Sequence, residues 1–155
     1  MTRKLLTLTV IEQGERVLLG MKKKGFGSGL YNGFGGKVEE GESIEEAAVR
    51  EVTEEALVVP LHMQKLGIME FAFESSPEIL EVHIFKSSSY KGEVGESEEM
   101  TPSWFHYAEI PFEKMWKDDR FWFPLLLDNK KFRGSVLFST QHDIVHHELR
   151  EVTEL

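Results

Sequence analysis

One stretch constrains this chain more than any other: GGKVEEGESIEEAAVREVTEEALV, from Gly35 to Val58. Two glycines open a turn, and a glutamate-rich loop runs into a helical pattern. Ser43 followed by Glu46 is a capping-box signature, so the spacing predicts a helix that starts at Ile44. Along it Glu51 and Glu55 are i,i+4, and Glu51 and Glu54 are i,i+3, so three carboxylates project from one side. Ala47 and Ala48 lie a turn earlier near that side, small enough to leave it open. Val49, Val52 and Ala56 form a separate apolar face to pack on a sheet. Crowded like charges destabilise a helix by a few tenths of a kcal/mol per pair, so something must offset them. Helical spacing alone leaves two readings open, a solvated acidic face or an oxygen-only site for a hard cation such as Mg²⁺ or Mn²⁺.

Charge sharpens the second reading. The chain has 155 residues and a formal net charge of −9. Residues 36–55 hold eight acids and two bases, so most of the excess sits in this stretch. Such a segment repels a bare polyphosphate and attracts one once divalent cations are in place. The same balance argues against a protein that coats nucleic acid, which needs a basic surface. With 41% apolar residues the chain suits a single domain, 1–155, with a real core. No apolar run approaches a membrane span, and Met1-Thr2-Arg3-Lys4 leads directly into an alternating segment without a secretory pattern. An intracellular location is expected. The absence of cysteine removes disulfides and thiolate ligands.

Around the helix the pattern is mostly of strands. Lys4 to Ile11 alternates with apolar residues on both faces, and Arg16 to Lys22 follows a turn at Gln13-Gly14-Glu15. Lys23 to Gly29 is basic and glycine-rich; a flexible linker is its simpler reading and a phosphate cradle the alternative. In Tyr31 to Phe34, alternation places Asn32 and Phe34 on one face, a polar amide beside an aromatic that can contact a ligand, or Asn32 merely satisfies a turn. Leu61 to Phe73 and Ile79 to Lys86 read as two strands, residues 87–99 as a surface loop, and Ser103 to Tyr107 as a short strand. Pro111 to Asn129 is irregular, then helical and aromatic. Phe132 to Ser139 and Ile144 to Glu151 suit a terminal hairpin, although the last segment fits helix or strand. Asp118 and Asp119 are adjacent acids among Trp116, Phe121 and Trp122, a setting that raises at least one carboxyl pKa. A neutral acid donates a hydrogen bond where a carboxylate only accepts, so the pair can match ligand edges of different donor and acceptor pattern by changing protonation state. The plainer alternative is a helix N-terminus, where Asp is common. The six histidines lack zinc-site spacing and read as structural or solvated.

The glycine, Glu42, Arg50-Glu51 and Glu54-Glu55 keep the spacing G-x5-E-x7-R-E-U-x-E-E-x-G-U, with U apolar. This resembles the Nudix box at every fixed position except the last glycine, where Leu57 stands. The runs RVLLGMKKKGFGSG, YNGFGGKV, MEFAF and IPFEKMWKDDRFWFPLLL resemble, more narrowly, the MutT-homologue branch whose members cleave oxidised purine nucleoside triphosphates. The resemblance implies a Nudix fold, a mixed β-sheet in an α/β/α sandwich. It implies a monomeric Mg²⁺-dependent hydrolase, with Mn²⁺ able to substitute, acting on 8-oxo-dGTP, 2-oxo-dATP or methylated purine triphosphates. No nucleic-acid or membrane partner is implied, and the expected location is cytoplasmic, extending to nucleus and mitochondria. Implied metal ligands are Gly35, Gly36, Glu51, Glu54, Glu55 and Glu99; Glu51, Glu55, Glu99 and Arg50 are the implied catalytic group, with Glu55 and Glu99 both candidates for the base. The implied substrate contacts are Thr7, Leu8, Lys22, Phe26, Asn32, Phe34, Gly35, Gly36, Lys37, Phe71, Leu80, Trp116, Lys117, Asp118, Asp119 and Phe138. Other substrates that keep the box are ADP-ribose, a dinucleoside polyphosphate or an RNA cap; a non-catalytic nucleotide-binding module is the remaining alternative. Leucine in the left-handed turn after the helix costs about 1–2 kcal/mol, so a different helix end is expected.

Overall fold

The computed structural model describes residues 2–155, leaving Met1 of the expected lead-in outside the described residues. The chain runs β1 (Thr2–Gln13), β2 (Arg16–Lys22), β3 (Tyr31–Asn32), β4 (Phe34–Lys37), α1 (Ile44–Ala56), β5 (Val59–Phe73), β6 (Glu78–Lys91), β7 (Met100–His106), α2 (Asp119–Leu127), β8 (Lys131–Phe138) and β9 (Ile144–Val152). Two short 3₁₀ turns lie between β7 and α2. The main path of the sheet is β3-β2-β1-β6-β5-β8-β9, with β4 also pairing β1 and β7 pairing β2. β1 pairs β6 and β5 pairs β8 in parallel, and the remaining pairings are antiparallel, so the sheet is mixed.

Alternation along β1 and β2 builds two cores, one on each face. Val10, Val17 and Leu19 join a cluster with Trp122, Phe123 and Leu126 of α2. Ile11 and Leu18 point the opposite way and pack with Val52 and Ala56 of α1. The sheet is therefore sandwiched between helices. The strands after α1 extend beyond their expected ends, β6 as far as Lys91, because Ser87 Oγ donates to Leu61 O and the β5 ladder continues to Val59. The ambiguous last segment is a strand, held by β8.

Three local expectations change. In α1 the buried side is Ala47, Ala48, Val52, Glu55 and Ala56, while Val49 is only half-buried. The alanines pack on the sheet instead of leaving a face open. Leu57 keeps the left-handed turn, with φ 65° and ψ 22°, and its N–H donates to Thr53 O at 3.1 Å. The helix thus ends as the box glycine would end it. Finally, Asn32 and Phe34 do not share a face. Asn32 pairs with Gly20 on β2, whereas Phe34 pairs with Thr9 on β1 and is fully buried beneath α1. The chain changes partners at Gly33, and alternation does not survive the change.

Candidate active site

A capping box starts α1: Ser43 Oγ accepts from Glu46 N at 3.0 Å, and Ser43 N in turn donates to Glu46 Oε1 at 2.9 Å. This sets the helix register that points Glu51 and Glu55 at Gly35 and Gly36, which do not form the expected turn but lie inside β4, paired with Leu8 and Thr7 of β1. Contact there is close. A Cβ on Gly36 would lie 2.6 Å from Glu51 Oε1, and one on Gly35 would lie 1.8 Å from Thr7 O. Gly35 N donates to Glu55 Oε1 at 3.0 Å.

Arg50 organises the rest of the acidic group. Its Nε and Nη2 grip both oxygens of Glu42 at 2.6 and 3.0 Å, and Nη2 also reaches Lys37 O at 3.0 Å. Nη1 holds Glu51 at 2.8 Å and touches Glu54 at 3.4 Å. The guanidinium beside Glu42 keeps that carboxyl below its usual range. Glu55 behaves oppositely. Burial, then the charge of Glu51, pushes it up to about 8, against the Gly35 bond that favours its anion, and Glu99 adds to the rise. Burial also raises Glu51, opposed by Arg50. Glu54 is outermost and mostly exposed.

Among the described residues, no group of three or more His, Asp or Glu side chains is already arranged to hold a metal ion. Arg50 engages Glu51 and Glu54, and Gly35 engages Glu55. The residues nevertheless suit a divalent cation: the donors are all hard oxygens, and Glu55 is buried beside two further carboxylates with no cationic partner of its own. The residues that would hold the ion are Glu51, Glu54, Glu55 and Glu99 with the Gly35-Gly36 backbone.

A cavity of about 230 Å³ opens from these glycines across the other face of the sheet. Gly35, Gly36 and Glu55 line one part; Thr7, Leu8, Lys22, Asn32, Phe71 and Leu80 line the strands; Phe26, Trp116, Asp118, Asp119 and Phe138 complete it. Asp118 and Asp119 start α2, as the plainer reading expected, yet Asp118 makes no capping bond. Instead Trp122 Nε1 donates to Asp118 Oδ2 at 2.8 Å. Burial raises both carboxyls, and Asp119 rises furthest because it also faces the charge of Asp118. Asp119 Oδ2 is buried without a hydrogen-bond partner. Asn32 Oδ1 accepts from Gly33 N at 3.0 Å, so it satisfies its turn and lines the cavity at once.

The sequence profile of the NUDIX domain matches residues 2–126. The chain belongs to the Nudix family. Within that family it is similar to the zebrafish (Danio rerio) oxidized purine nucleoside triphosphate hydrolase, 51% identical over 154 residues and covering 99% of both chains. The mouse (Mus musculus) protein of the same name is also 51% identical, over 151 residues and 97% of each chain. A MutT crystal structure from Bacillus halodurans superposes with a TM-score of 0.85 at 24% identity, covering 94% of this chain and 97% of that one. That likeness identifies the mixed-sheet Nudix fold. Hydrolases of the family act with a divalent cation.

Three expected contacts lie off the cavity lining. Phe34 belongs to the core under α1. Lys37 is exposed at the end of β4, where a side-chain hydrogen bond with Lys4, then its charge, lowers the Lys37 pKa. Lys117 turns outward to an ion pair with Asp143. The segment 23–29, whose simpler reading was a linker, closes on the cavity through Phe26, as the resemblance implied, and through Gly27. Phe73 and Trp122 also line it, although their apolar character reads as core in sequence. Strand parity shared with Phe71 was the available signal for Phe73. For Trp122 the available signal was its i,i+4 spacing from Asp118.

Proposed function

We propose that this protein hydrolyses oxidised purine nucleoside triphosphates to the monophosphate and pyrophosphate, and so removes mutagenic precursors from the nucleotide pool. The observation that carries the substrate reading is the Asp118–Asp119 pair. Two adjacent buried carboxyls line a cavity that continues to Gly36 and Glu55, and one oxygen of Asp119 has no partner. Protonated Asp119 donates, and its free oxygen accepts, toward the edge of a purine. Aromatic walls from Trp116 and Phe71 fit a flat base. The shared printed names of the zebrafish and mouse relatives support the same substrate class.

In this reading Asn32 and the aspartates orient the base, and Lys22 faces the sugar and phosphates. Mg²⁺, replaceable by Mn²⁺, supplies charge neutralisation for the phosphates and polarises the attacking water. Glu55 accepts a proton from that water as its oxygen bonds to phosphorus and the phosphorus–oxygen bond to pyrophosphate breaks. Glu99, on the neighbouring loop, is the alternative acceptor. Arg50 holds Glu42 and Glu51 in place. The enzyme acts as a monomer in the cytoplasm, with nucleus and mitochondria as further sites of the same pool.

The test is a pyrophosphatase-coupled phosphate assay on 8-oxo-dGTP, 2-oxo-dATP, dGTP and ADP-ribose, with and without Mg²⁺, for the wild-type protein and Asp119→Asn. Mg²⁺-dependent release with preference for the oxidised purines is expected, and Asp119→Asn should shift the ratio between the two. Equal turnover of dGTP, or faster turnover of ADP-ribose, rejects the substrate class.

A further inference from the structure

The hairpin between β8 and β9 carries a residue that neither the box nor the cavity lining requires. Ser139 organises the turn. Its N–H donates to Asp143 O at 2.8 Å, its carbonyl accepts from His142 N at 2.9 Å, and its Oγ accepts from Asp143 N at 3.1 Å. His142 sits at the tip with φ 62°, a left-handed conformation uncommon for a side-chain-bearing residue. Its ring stands over three aromatic rings from three other segments. The centroid separations are 5.3 Å to Phe26, 5.2 Å to Trp116 and 6.0 Å to Phe73. The contacts to Phe26 and Phe73 are edge-to-face, at 81° and 79°. A second tether lies beside it, since Asp143 pairs with Lys117, the residue after Trp116.

Phe26 needs such support. It is 57% exposed and lies on a loop whose Gly25, Gly27 and Gly29 all have positive φ. Its other ring contacts are Trp116 at 5.1 Å and Phe73 at 5.8 Å, both of which His142 also touches.

We propose that His142 is a positioning residue for base recognition: it clasps Phe26 and Trp116 at the mouth of the cavity, making the β8–β9 turn part of the base pocket. This rests on the purine-pocket reading above. An ordered rim lowers the entropy that a ligand must remove on binding. Loss of the clasp therefore weakens binding and leaves chemistry alone, because the Arg50 and Gly35 contacts of the glutamates do not involve His142. Aromatic contacts of this type change an equilibrium by about two- to tenfold.

The experiment compares wild type, His142→Ala, His142→Gly and His142→Phe. It measures KM and kcat for 8-oxo-dGTP with Mg²⁺, and the Kd of 8-oxo-dGMP by calorimetry without metal. Melting temperatures confirm that each variant is folded. His142→Ala and His142→Gly should raise KM and Kd by about two- to tenfold, with kcat within about twofold. His142→Phe should bring KM and Kd back toward wild type. The glycine variant separates the roles, since it removes the left-handed backbone strain that alanine keeps, while both variants lose the ring. Unchanged KM and Kd in the glycine and alanine variants, or no recovery with phenylalanine, overturns the clasp. A wild-type enzyme without preference for 8-oxo-dGTP over dGTP overturns the substrate reading instead.

Discussion

Leu57 shows how one residue can depart from a motif without altering the fold. It adopts the left-handed conformation that the box reserves for glycine, and its side chain stays half exposed. What holds it there is local. Gly95 N donates to Ala56 O at 3.1 Å, and a Cβ on Gly95 would lie 2.9 Å from Leu57 Cδ1. The 92–99 loop thus closes over the helix end and touches the leucine. The strain remains, and Leu57→Gly should relieve about 1 kcal/mol of it. For a chain of this size that corresponds to a melting temperature higher by about 2–4 °C, measurable by calorimetry. An unchanged or lower value would mean that the Gly95 contact outweighs the backbone strain.

Elements are coupled through the loop between β2 and β3. Lys23 N donates to Glu99 O at 2.9 Å, and Lys23 Nζ donates to Ser97 O at 2.7 Å and pairs with Glu96. Three residues later Phe26 covers the cavity. One loop therefore contacts both the aromatic rim and the segment that carries Glu99. Lys23→Ala leaves the backbone bond and removes the side-chain anchor. A net side-chain hydrogen bond contributes about 0.5–1.5 kcal/mol, so we expect kcat to fall by about two- to tenfold and the Mg²⁺ concentration for half-maximal rate to rise. Steady-state kinetics across a Mg²⁺ series would read both; wild-type values would disconnect Lys23 from Glu99.

At the scale of the whole molecule the acidic charge becomes a pH-dependent liability. Glu55 has an ordinary pKa of 4.5, and burial beside Glu51 raises it to about 8. Between those values the unfolded chain has lost a proton that the folded chain keeps, so stability falls as pH rises. Asp118 and Asp119 are raised by burial and act in the same direction. In EDTA the melting temperature should therefore decline from about pH 5 to pH 8. Mg²⁺ should restore most of the loss at the upper end by binding the ionised glutamates. Glu55→Gln should melt higher than wild type in EDTA at pH 8 and gain less from Mg²⁺. A flat wild-type profile in EDTA would remove the buried carboxyls as its source.

Much of this architecture was legible residue by residue. The capping box, the i,i+4 glutamates and the alternation of β1 and β2 are local facts, enforced by backbone geometry and by which side chains avoid water. The acidic box and its implied cation follow from spacing and charge in the same way. Tertiary structure decided what local rules cannot reach. Phe34 and Asn32 parted because the chain exchanges one strand partner for another at Gly33, and pairing is a long-range property. Residue pattern alone read 23–29 as a linker, and only the resemblance marked Phe26; the segment is a cavity wall because Phe26 finds Trp116, Phe73 and His142, which lie far along the chain. The carboxylates of Gly35–Val58 were visible from the start; the cavity they serve exists only where the sheet brings α2 and the end of β8 around to meet them.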